Sequence, residues 1–129
     1  MPARLRRTCS ILLVEDEVMI RMMVADMLEE LGHRVAVETG QIADALALAR
    51  TAEFDLAILD VNLNGQMSFP VADAVMARDL PFIFATGYST ESIPSDYKSY
   101  QRLQKPFQIV LLEKAIQAAI CADGILAMS

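Results

Sequence analysis

The sequence predicts an α/β fold built on a doubly wound, five-stranded parallel sheet. Short, continuously apolar runs recur along the chain, and stretches with apolar residues at helical spacing separate them. The connections between them are short. A chain of such β/α units packs its helices on both faces of one parallel sheet.

The first half of the chain contains two strands and two helices. Residues 11–14 form an apolar run that ends in acids, which is typical of a strand buried on both faces. Residues 18–31 carry apolar side chains at helical spacing, and Gly32 ends this helix. Residues 34–38 alternate as a strand does, whereas residues 42–50 are rich in Ala and Leu and predict a helix.

The middle of the chain predicts the third and fourth units. Residues 55–59 are apolar after the first position and form the third strand, which ends at Asp60. Residues 62–68 contain Asn-Gly and are predicted to be a loop. Residues 70–78 begin with proline, which suits the first turn of a helix, and residues 81–85 form the fourth strand.

The last unit is less regular. Residues 86–95 are rich in Gly, Ser, Thr and Pro, so any helix there is short or loose. Residues 100–104 predict a weak fifth strand, and residues 107–122 a final helix. We expect residues 1–129 to form a single domain, with a core at about residues 10–122 and an arm at residues 1–9.

Composition excludes several classes of protein. The 129 residues carry a net charge of −6, which disfavours nucleic-acid binding, because phosphate backbones require clustered cations. The basic arm with Arg4, Arg6 and Arg7 is an exception that we interpret as a solvated terminus. No apolar run is long enough to cross a bilayer or to form a signal-peptide core, so we expect a cytoplasmic protein that does not bind membranes.

The cysteines and the histidine predict no metal site. Cys9 and Cys121 form no CxxC pair and are expected to be buried thiols in a reducing compartment. His33 follows the turn residue Gly32 and is predicted to lie at the surface.

Polar side chains follow the predicted strands at the sheet edge where doubly wound proteins bind ligands. Three acids, a further carboxylate, a hydroxyl and an amine are expected to converge there. They are Glu15, Asp16 and Glu17 after the first strand, Asp60 at the end of the third, Thr86 after the fourth and Lys105 after the fifth.

This set of groups suits a divalent cation and phosphoryl transfer. Crowded carboxylates repel one another, and Mg²⁺ relieves that repulsion by taking oxygen ligands from Asp16, Asp60 and a backbone carbonyl just past Asp60. Lys105 and Thr86 can stabilise the charge of a phosphoryl group, and Asp60 as nucleophile would form an acyl phosphate. Taken singly, each residue can be explained as a helix cap, a turn or the start of a loop. Taken together, the residues favour a functional site.

These residues resemble the receiver domain of two-component response regulators. The resemblance covers about residues 10–122: residues 11–17 resemble the first strand with its acidic pair, and residues 56–62 resemble the third strand with its phosphoacceptor. It implies a flavodoxin-like (βα)5 fold. It also implies a Mg²⁺ site at Glu15, Asp16, Asp60 and the backbone carbonyl of Asn62, the phosphoacceptor Asp60, the switch hydroxyl Thr86, and Lys105 followed by the cis proline Pro106.

The resemblance also implies the function. A single-domain response regulator accepts a phosphoryl group from a histidine kinase or a histidine phosphotransfer protein and then changes its binding to a downstream partner. It is not an enzyme with a separate substrate, although it catalyses its own phosphorylation and dephosphorylation. Residues 81–88, Pro-Phe-Ile-Phe-Ala-Thr-Gly-Tyr, resemble the FAT GUY receivers, which are often stand-alone domains in alphaproteobacteria.

Two departures from the family pattern concern the switch. Arg102 stands where most receivers have an aromatic residue three positions before the lysine, and Tyr88 is a candidate to replace it. Asn64-Gly65 stands where the loop after the phosphoacceptor usually has a proline. Neither departure touches the phosphorylation chemistry.

Several alternatives remain open. The missing output domain and Arg102 favour a phosphate sink or relay intermediate without its own output. The presence of Asp60, Thr86 and Lys105 argues against a phosphorylation-independent binding module, which would not need them. Asn62 argues against a metal-dependent hydrolase, which would need an aspartate at that position. Met19 and Met22 on the first helix either contact a kinase helical bundle or fill the edge of the core. We expect a monomer or a weak dimer.

Overall fold

The architecture is the doubly wound α/β sandwich that the apolar pattern predicts. The computed structural model describes residues 8–87, 101–105 and 108–122, apart from the side chains of residues 101, 121 and 122. Its elements, in chain order, are β1 Ser10–Val14, α1 Val18–Glu30, β2 Arg34–Thr39, α2 Ile42–Thr51, β3 Leu56–Asp60, β4 Asn62–Leu63, β5 Gln66–Met67, α3 Phe69–Ala77, β6 Phe82–Thr86, β7 Gln101–Gln104 and α4 Ile109–Ala122.

Five parallel strands form one sheet in the order β2-β1-β3-β6-β7. The chain therefore reverses its direction of winding beside β1, and the crevice at the carboxyl ends of β1 and β3 is where such sheets bind ligands. The described residues contain four helices. Residues 88–100, which include most of the irregular segment between the fourth and fifth predicted strands, lie outside the described residues.

The alternation of side chains along each strand produces two cores. Ile11 and Leu13 point to the face packed with α1 and α4, whereas Leu12 and Val14 point to the face packed with α2 and α3. All five residues of β3 are buried, so the sheet is covered on both sides at its centre. This explains why its strands are continuous apolar runs.

The end of α1 follows from Gly32. Gly32 has a φ of 92°, a left-handed conformation that costs glycine little. The amide of Gly32 donates to the carbonyl of Glu29 at 3.0 Å, and the amide of His33 donates to the carbonyl of Leu28 at 2.8 Å. This pair of bonds is a Schellman motif, and it turns the chain directly into β2.

Two local predictions are wrong. His33 is not at the surface: it is only 5% exposed, and its Nδ1 accepts a hydrogen bond of 3.0 Å from the amide of Cys9, because the chain turns inward after Gly32. Residues 62–68 are not only a loop, since β4 and β5 form a small antiparallel hairpin. Its turn has Asn64 at φ 52° and Gly65 at φ 89°, values typical of Asn-Gly hairpin turns.

The structure tests some of the predictions for the cysteines, the N-terminal arm and membrane spans. Cys9 is buried, as predicted, whereas the side chain of Cys121 and residues 1–7 lie outside the described part of the chain. None of the helices in the described ranges combines the length and the apolar character that crossing a bilayer requires.

Candidate functional site

The loop after β1 supplies two acids to the carboxyl edge of the sheet. The amide of Glu15 donates to the carbonyl of Thr39 at 3.0 Å, which extends the β1–β2 pairing by one residue. The side chain of Glu15 turns inward and is 3% exposed, and its Oε2 accepts a hydrogen bond of 3.1 Å from the amide of Glu17. Asp16, the next residue, is half-buried.

Asp60 is the last residue of β3 and lies beside this loop. It is 4% exposed and is paired in register with Ala85 of β6. Its Oδ1 accepts a hydrogen bond of 3.3 Å from the amide of Asn62. The apolar strand therefore buries the backbone of Asp60 and leaves its carboxylate at the edge of the sheet.

Lys105 connects the two sets of acids. Its amide donates to the carbonyl of Thr86 at 2.7 Å, which continues the β6–β7 pairing past the end of β7. The Lys105 ammonium donates to Glu15 Oε1 at 2.9 Å and to Asp60 Oδ2 at 3.1 Å. One cation thus bridges two buried carboxylates that come from different strands.

The charges of this cluster do not balance. Carboxylate oxygens of Glu15, Asp16 and Asp60 all lie within 4.8 Å of one another. Three carboxylates less one ammonium leave a surplus of two negative charges when all groups are ionised. Because the cluster is largely buried, this surplus is poorly screened by water.

The pKa values reflect this surplus. Burial, and after it the negative charge of Glu15, together raise the pKa of Asp60 from 3.8 to about 7, against the opposing effect of Lys105. Burial lowers the pKa of Lys105, but the hydrogen bond to Glu15 and the negative charge of Asp60 outweigh it, so that the pKa of Lys105 lies above 10.5. The ammonium is therefore held firmly, whereas Asp60 is only partly ionised near neutral pH.

The donor set fits a hard divalent cation. Mg²⁺ prefers oxygen ligands and usually binds through one or two carboxylates while it keeps several waters. A charge of +2 matches the surplus of the cluster and would favour the ionised form of Asp60. Glu15, Asp16 and Asp60 all place a carboxylate oxygen within reach of one such cation, and Asp16 is the most exposed of the three.

The structure brings most of the predicted site residues together. Glu15, Asp16, Asp60 and Lys105 form the cluster described above. Thr86 ends β6, one residue after the register partner of Asp60, and is 7% exposed. Of the remaining predicted positions, Asn62 begins the hairpin, Glu17 occupies the N-cap position of α1 without a capping side-chain bond, and Tyr88 and Pro106 lie outside the described residues.

Sequence reasoning missed two contacts at this site. The amide of Asn64, at the tip of the hairpin, donates to Asp16 Oδ2 at 3.2 Å. The Arg21 Nη1 atom donates to the carbonyl of Glu15 at 2.7 Å. The Asn-Gly pair was a usable signal for the hairpin, whereas no local pattern marks Arg21.

The methionines on α1 are exposed. Met19 is 82% exposed and Met22 is 61% exposed. Neither side chain therefore fills the edge of the core. Met23, at 39%, and Val18, at 56%, extend the exposed apolar surface along the same helix.

Comparison with known proteins identifies one family. The family model described as "Response regulator receiver domain" matches residues 11–117. The transcriptional regulatory protein PdtaR of Mycobacterium tuberculosis is 32% identical over 114 residues, which cover 85% of this chain and 56% of PdtaR. YvrH of Bacillus subtilis is 30% identical over 84 residues, 64% of this chain and 35% of YvrH. The chain thus spans about half the length, or less, of these curated relatives.

Two solved structures are similar to this chain in fold. The solution structure of SdrG from Sphingomonas melonis Fr1 is 43% identical, with a TM-score of 0.75, and the match covers 90% of this chain and 96% of SdrG. The response regulator PhyR from Brucella abortus has a TM-score of 0.77 over 92% of this chain and 50% of PhyR. At 22% identity, the second likeness shows the fold alone.

Proposed function

Because this chain belongs to the response regulator receiver domain family of two-component signalling, we propose that Asp60 accepts a phosphoryl group from a phosphohistidine, with Mg²⁺ bound beside it. The donor is a histidine kinase or a histidine phosphotransfer protein. The observation on which this proposal rests is the Lys105 ammonium, which contacts both Glu15 and Asp60 within a cluster of three acids.

Asp16 and Asp60 are the proposed carboxylate ligands of Mg²⁺, and the backbone carbonyl of Asn62 completes the protein ligands. Glu15 belongs to the same acidic cluster and would help to hold the cation there. When bound, the cation would offset the charge of the carboxylates and of the incoming phosphoryl oxygens.

The transfer step needs an ionised Asp60. A carboxylate oxygen of Asp60 attacks phosphorus in line with the phosphorus–nitrogen bond of the phosphohistidine, and that bond breaks with its electron pair returning to the imidazole. The product is an acyl phosphate on Asp60. Lys105 then pairs with the phosphoryl oxygens, and the hydroxyl of Thr86 donates a hydrogen bond to them.

The phosphorylated chain then binds a different partner. We assign residues 81–88 to the FAT GUY pattern and the whole chain to a single receiver domain with a core at residues 10–122.

The exposed surface of Val18, Met19 and Met22 on α1 begins directly after the acidic loop. It is our candidate contact for the helical phosphohistidine donor, since methionine side chains adapt to varied partners.

A second candidate function is supported by Arg102. This residue is exposed on β7, at the position where most receivers carry the aromatic switch residue. A receiver that cannot rotate an aromatic ring there would serve as a phosphate sink or relay intermediate. The two functions differ in whether phosphorylation creates affinity for a new partner, and affinity capture with and without beryllofluoride, a phosphoryl mimic, separates them.

A transfer assay tests the primary proposal. Radiolabelled phosphate on purified histidine kinases or phosphotransfer proteins should move to this chain when Mg²⁺ is present, and hydroxylamine should release it. Asp60→Asn should abolish labelling, whereas Asp26→Asn, the same change at an exposed position of α1, should leave it unchanged. Undiminished labelling of Asp60→Asn would refute the assignment.

A further inference from the structure

Arg21 connects the first helix, the second strand and the acidic loop. Its Nη1 donates to the carbonyl of Glu15 at 2.7 Å, and its Nε lies 3.1 Å from Glu38 Oε1 on β2. The side chain of Arg21 is 20% exposed, and that of Glu38 is 47% exposed. The guanidinium therefore contacts the backbone of the acidic loop rather than its side chains, and it also pairs with Glu38.

The bonded carbonyl belongs to the peptide group that joins Glu15 to Asp16. A peptide group is planar, so a bond that holds its oxygen also fixes the direction of the Asp16 amide. Rotation of this plane would change ψ of Glu15 and φ of Asp16 together, and both side chains would leave the backbone in new directions. The amide of Glu15 is held as well, by the carbonyl of Thr39 at 3.0 Å.

Gly40 provides the space for this arrangement. Among the described glycines, Gly32 and Gly65 have positive φ values, whereas Gly40 does not, so its conformation alone does not require glycine. A Cβ atom on Gly40 would lie 2.8 Å from Arg21 Nη1, 3.0 Å from the Cα of Asp16 and 3.1 Å from the carbonyl oxygen of Glu15. Two of these three atoms are backbone atoms of the acidic loop and cannot move aside as a flexible side chain can.

We infer that Arg21 is a positioning residue for the Mg²⁺ site and that Gly40 allows it to reach the Glu15–Asp16 peptide. This inference rests on the proposed function, since it concerns the same cation. The two contacts of Arg21 are with the backbone carbonyl of Glu15 and the carboxylate of Glu38, not with the carboxylates of Glu15 and Asp16. It acts by setting the direction in which Asp16 leaves the backbone.

Charge and positioning have opposite consequences, which makes the inference testable. A guanidinium close to a cation site repels Mg²⁺, so removal of its charge alone would tighten Mg²⁺ binding. Loss of positioning would weaken binding, and loss of a residue that orients a metal ligand typically costs about tenfold or more in metal affinity. The sign of the change in the Mg²⁺ dissociation constant therefore distinguishes the two roles.

The experiment is a Mg²⁺ titration of the full chain without a phosphodonor, followed by the amide NMR shifts of the residues around Asp60. Arg21→Met and Gly40→Ala should each raise the dissociation constant roughly tenfold. Arg21→Lys keeps the charge and loses the planar donor group, so it should also bind Mg²⁺ more weakly than the unaltered chain. Glu38→Gln is the matched control and should stay within about twofold, because the bond from Arg21 to Glu15 remains.

Comparison of the variants separates the two proposals. Asp16→Asn should lose most Mg²⁺ binding; if the unaltered chain shows no binding at all, both the proposed function and this inference are overturned. If the unaltered chain binds Mg²⁺, and Arg21→Met and Arg21→Lys bind it equally well or more tightly, only the positioning role is overturned. Should Arg21→Met fail to fold, Arg21→Lys and Gly40→Ala still decide the matter.

Discussion

The Lys105 ammonium lies 3.1 Å from Asp60 Oδ2, yet the pKa of Asp60 is raised rather than lowered. An ion pair at this distance normally favours the ionised carboxylate. Here burial and the neighbouring Glu15 outweigh Lys105, so the cluster without metal holds more negative charge than one lysine can neutralise.

The stability of the metal-free protein should decrease as the pH rises from about 4 to about 7. In this window the unfolded chain has released the proton of Asp60, whereas the folded chain retains it because its pKa is raised from 3.8 to about 7. The folded state therefore binds more protons, and the free energy of unfolding falls with pH. Asp60→Asn should flatten this slope and stabilise the metal-free protein at about pH 8 by up to about 4 kcal/mol.

Denaturant unfolding at several pH values, with EDTA present, measures this slope. Mg²⁺ binding should recover the lost stability above about pH 7, because the cation favours ionised Asp60, and it should do so less at about pH 5. An Asp60→Asn variant with the same pH slope as the unaltered chain would show that another group is responsible.

Lys105→Met should destabilise the protein strongly. Among the described residues, Lys105 is the cation that pairs with the carboxylates of both Glu15 and Asp60, and removal of one partner from a buried pair costs about 3 kcal/mol. The pKa of Lys105 is raised by its partners, so its stabilising effect is complete at pH values below 10.5 and is lost only in strong alkali.

The matched control is Lys114→Met, which removes an exposed lysine from α4. It should change the free energy of unfolding by about 0.5 kcal/mol or less. Phosphotransfer should also fall in Lys105→Met and remain in Lys114→Met. Equal stabilities for the two variants in thermal unfolding at about pH 8 would contradict the bridging role of Lys105.

Much of the site could be predicted from the apolar runs that mark the strands and from the polar residues at their carboxyl ends. Asp60 ends a strand that is otherwise apolar, and Glu15 and Asp16 follow another apolar strand, so parallel pairing alone brings them to one edge. The contact of Arg21 with the Glu15 carbonyl could not be predicted in this way. It depends on the absence of a side chain at Gly40, which lies beyond the end of β2 and is far from Arg21 in sequence.

Short segments were predicted less well, for a related physical reason. Two-residue strands such as Asn62–Leu63 are too short to show an alternation of apolar and polar side chains, so only the Asn-Gly turn indicates the hairpin. His33 is a single polar residue after a helix, and its burial depends on how the Schellman motif directs the chain against Cys9. Neither outcome is encoded in a local periodicity.

His33→Leu should lower the free energy of unfolding by about 1–3 kcal/mol. The substitution removes the Nδ1 atom that accepts a hydrogen bond from the buried amide of Cys9, and a buried donor that loses its acceptor incurs this desolvation cost. His33→Asn places an oxygen near the position of Nδ1 and should retain a larger share of the stability. If chemical denaturation shows equal losses for the two variants, the hydrogen bond is not the reason for the burial of His33.

Gly65→Ala should destabilise the protein by about 1 kcal/mol through backbone strain alone. Gly65 has a φ of 89°, which alanine adopts at a cost, and a Cβ atom there would meet no atom within 4 Å. Gly87→Ala is the matched control: a Cβ atom there also meets nothing within 4 Å, and Gly87 has no positive φ, so its substitution should be neutral or slightly stabilising. The amide of Asn64, at the tip of the hairpin, donates to Asp16 Oδ2. Strain at Gly65 should therefore also change the chemical shift of the Asp16 amide in NMR spectra. If thermal unfolding shows that Gly65→Ala is as stable as the unaltered chain, the turn is not held in the left-handed conformation.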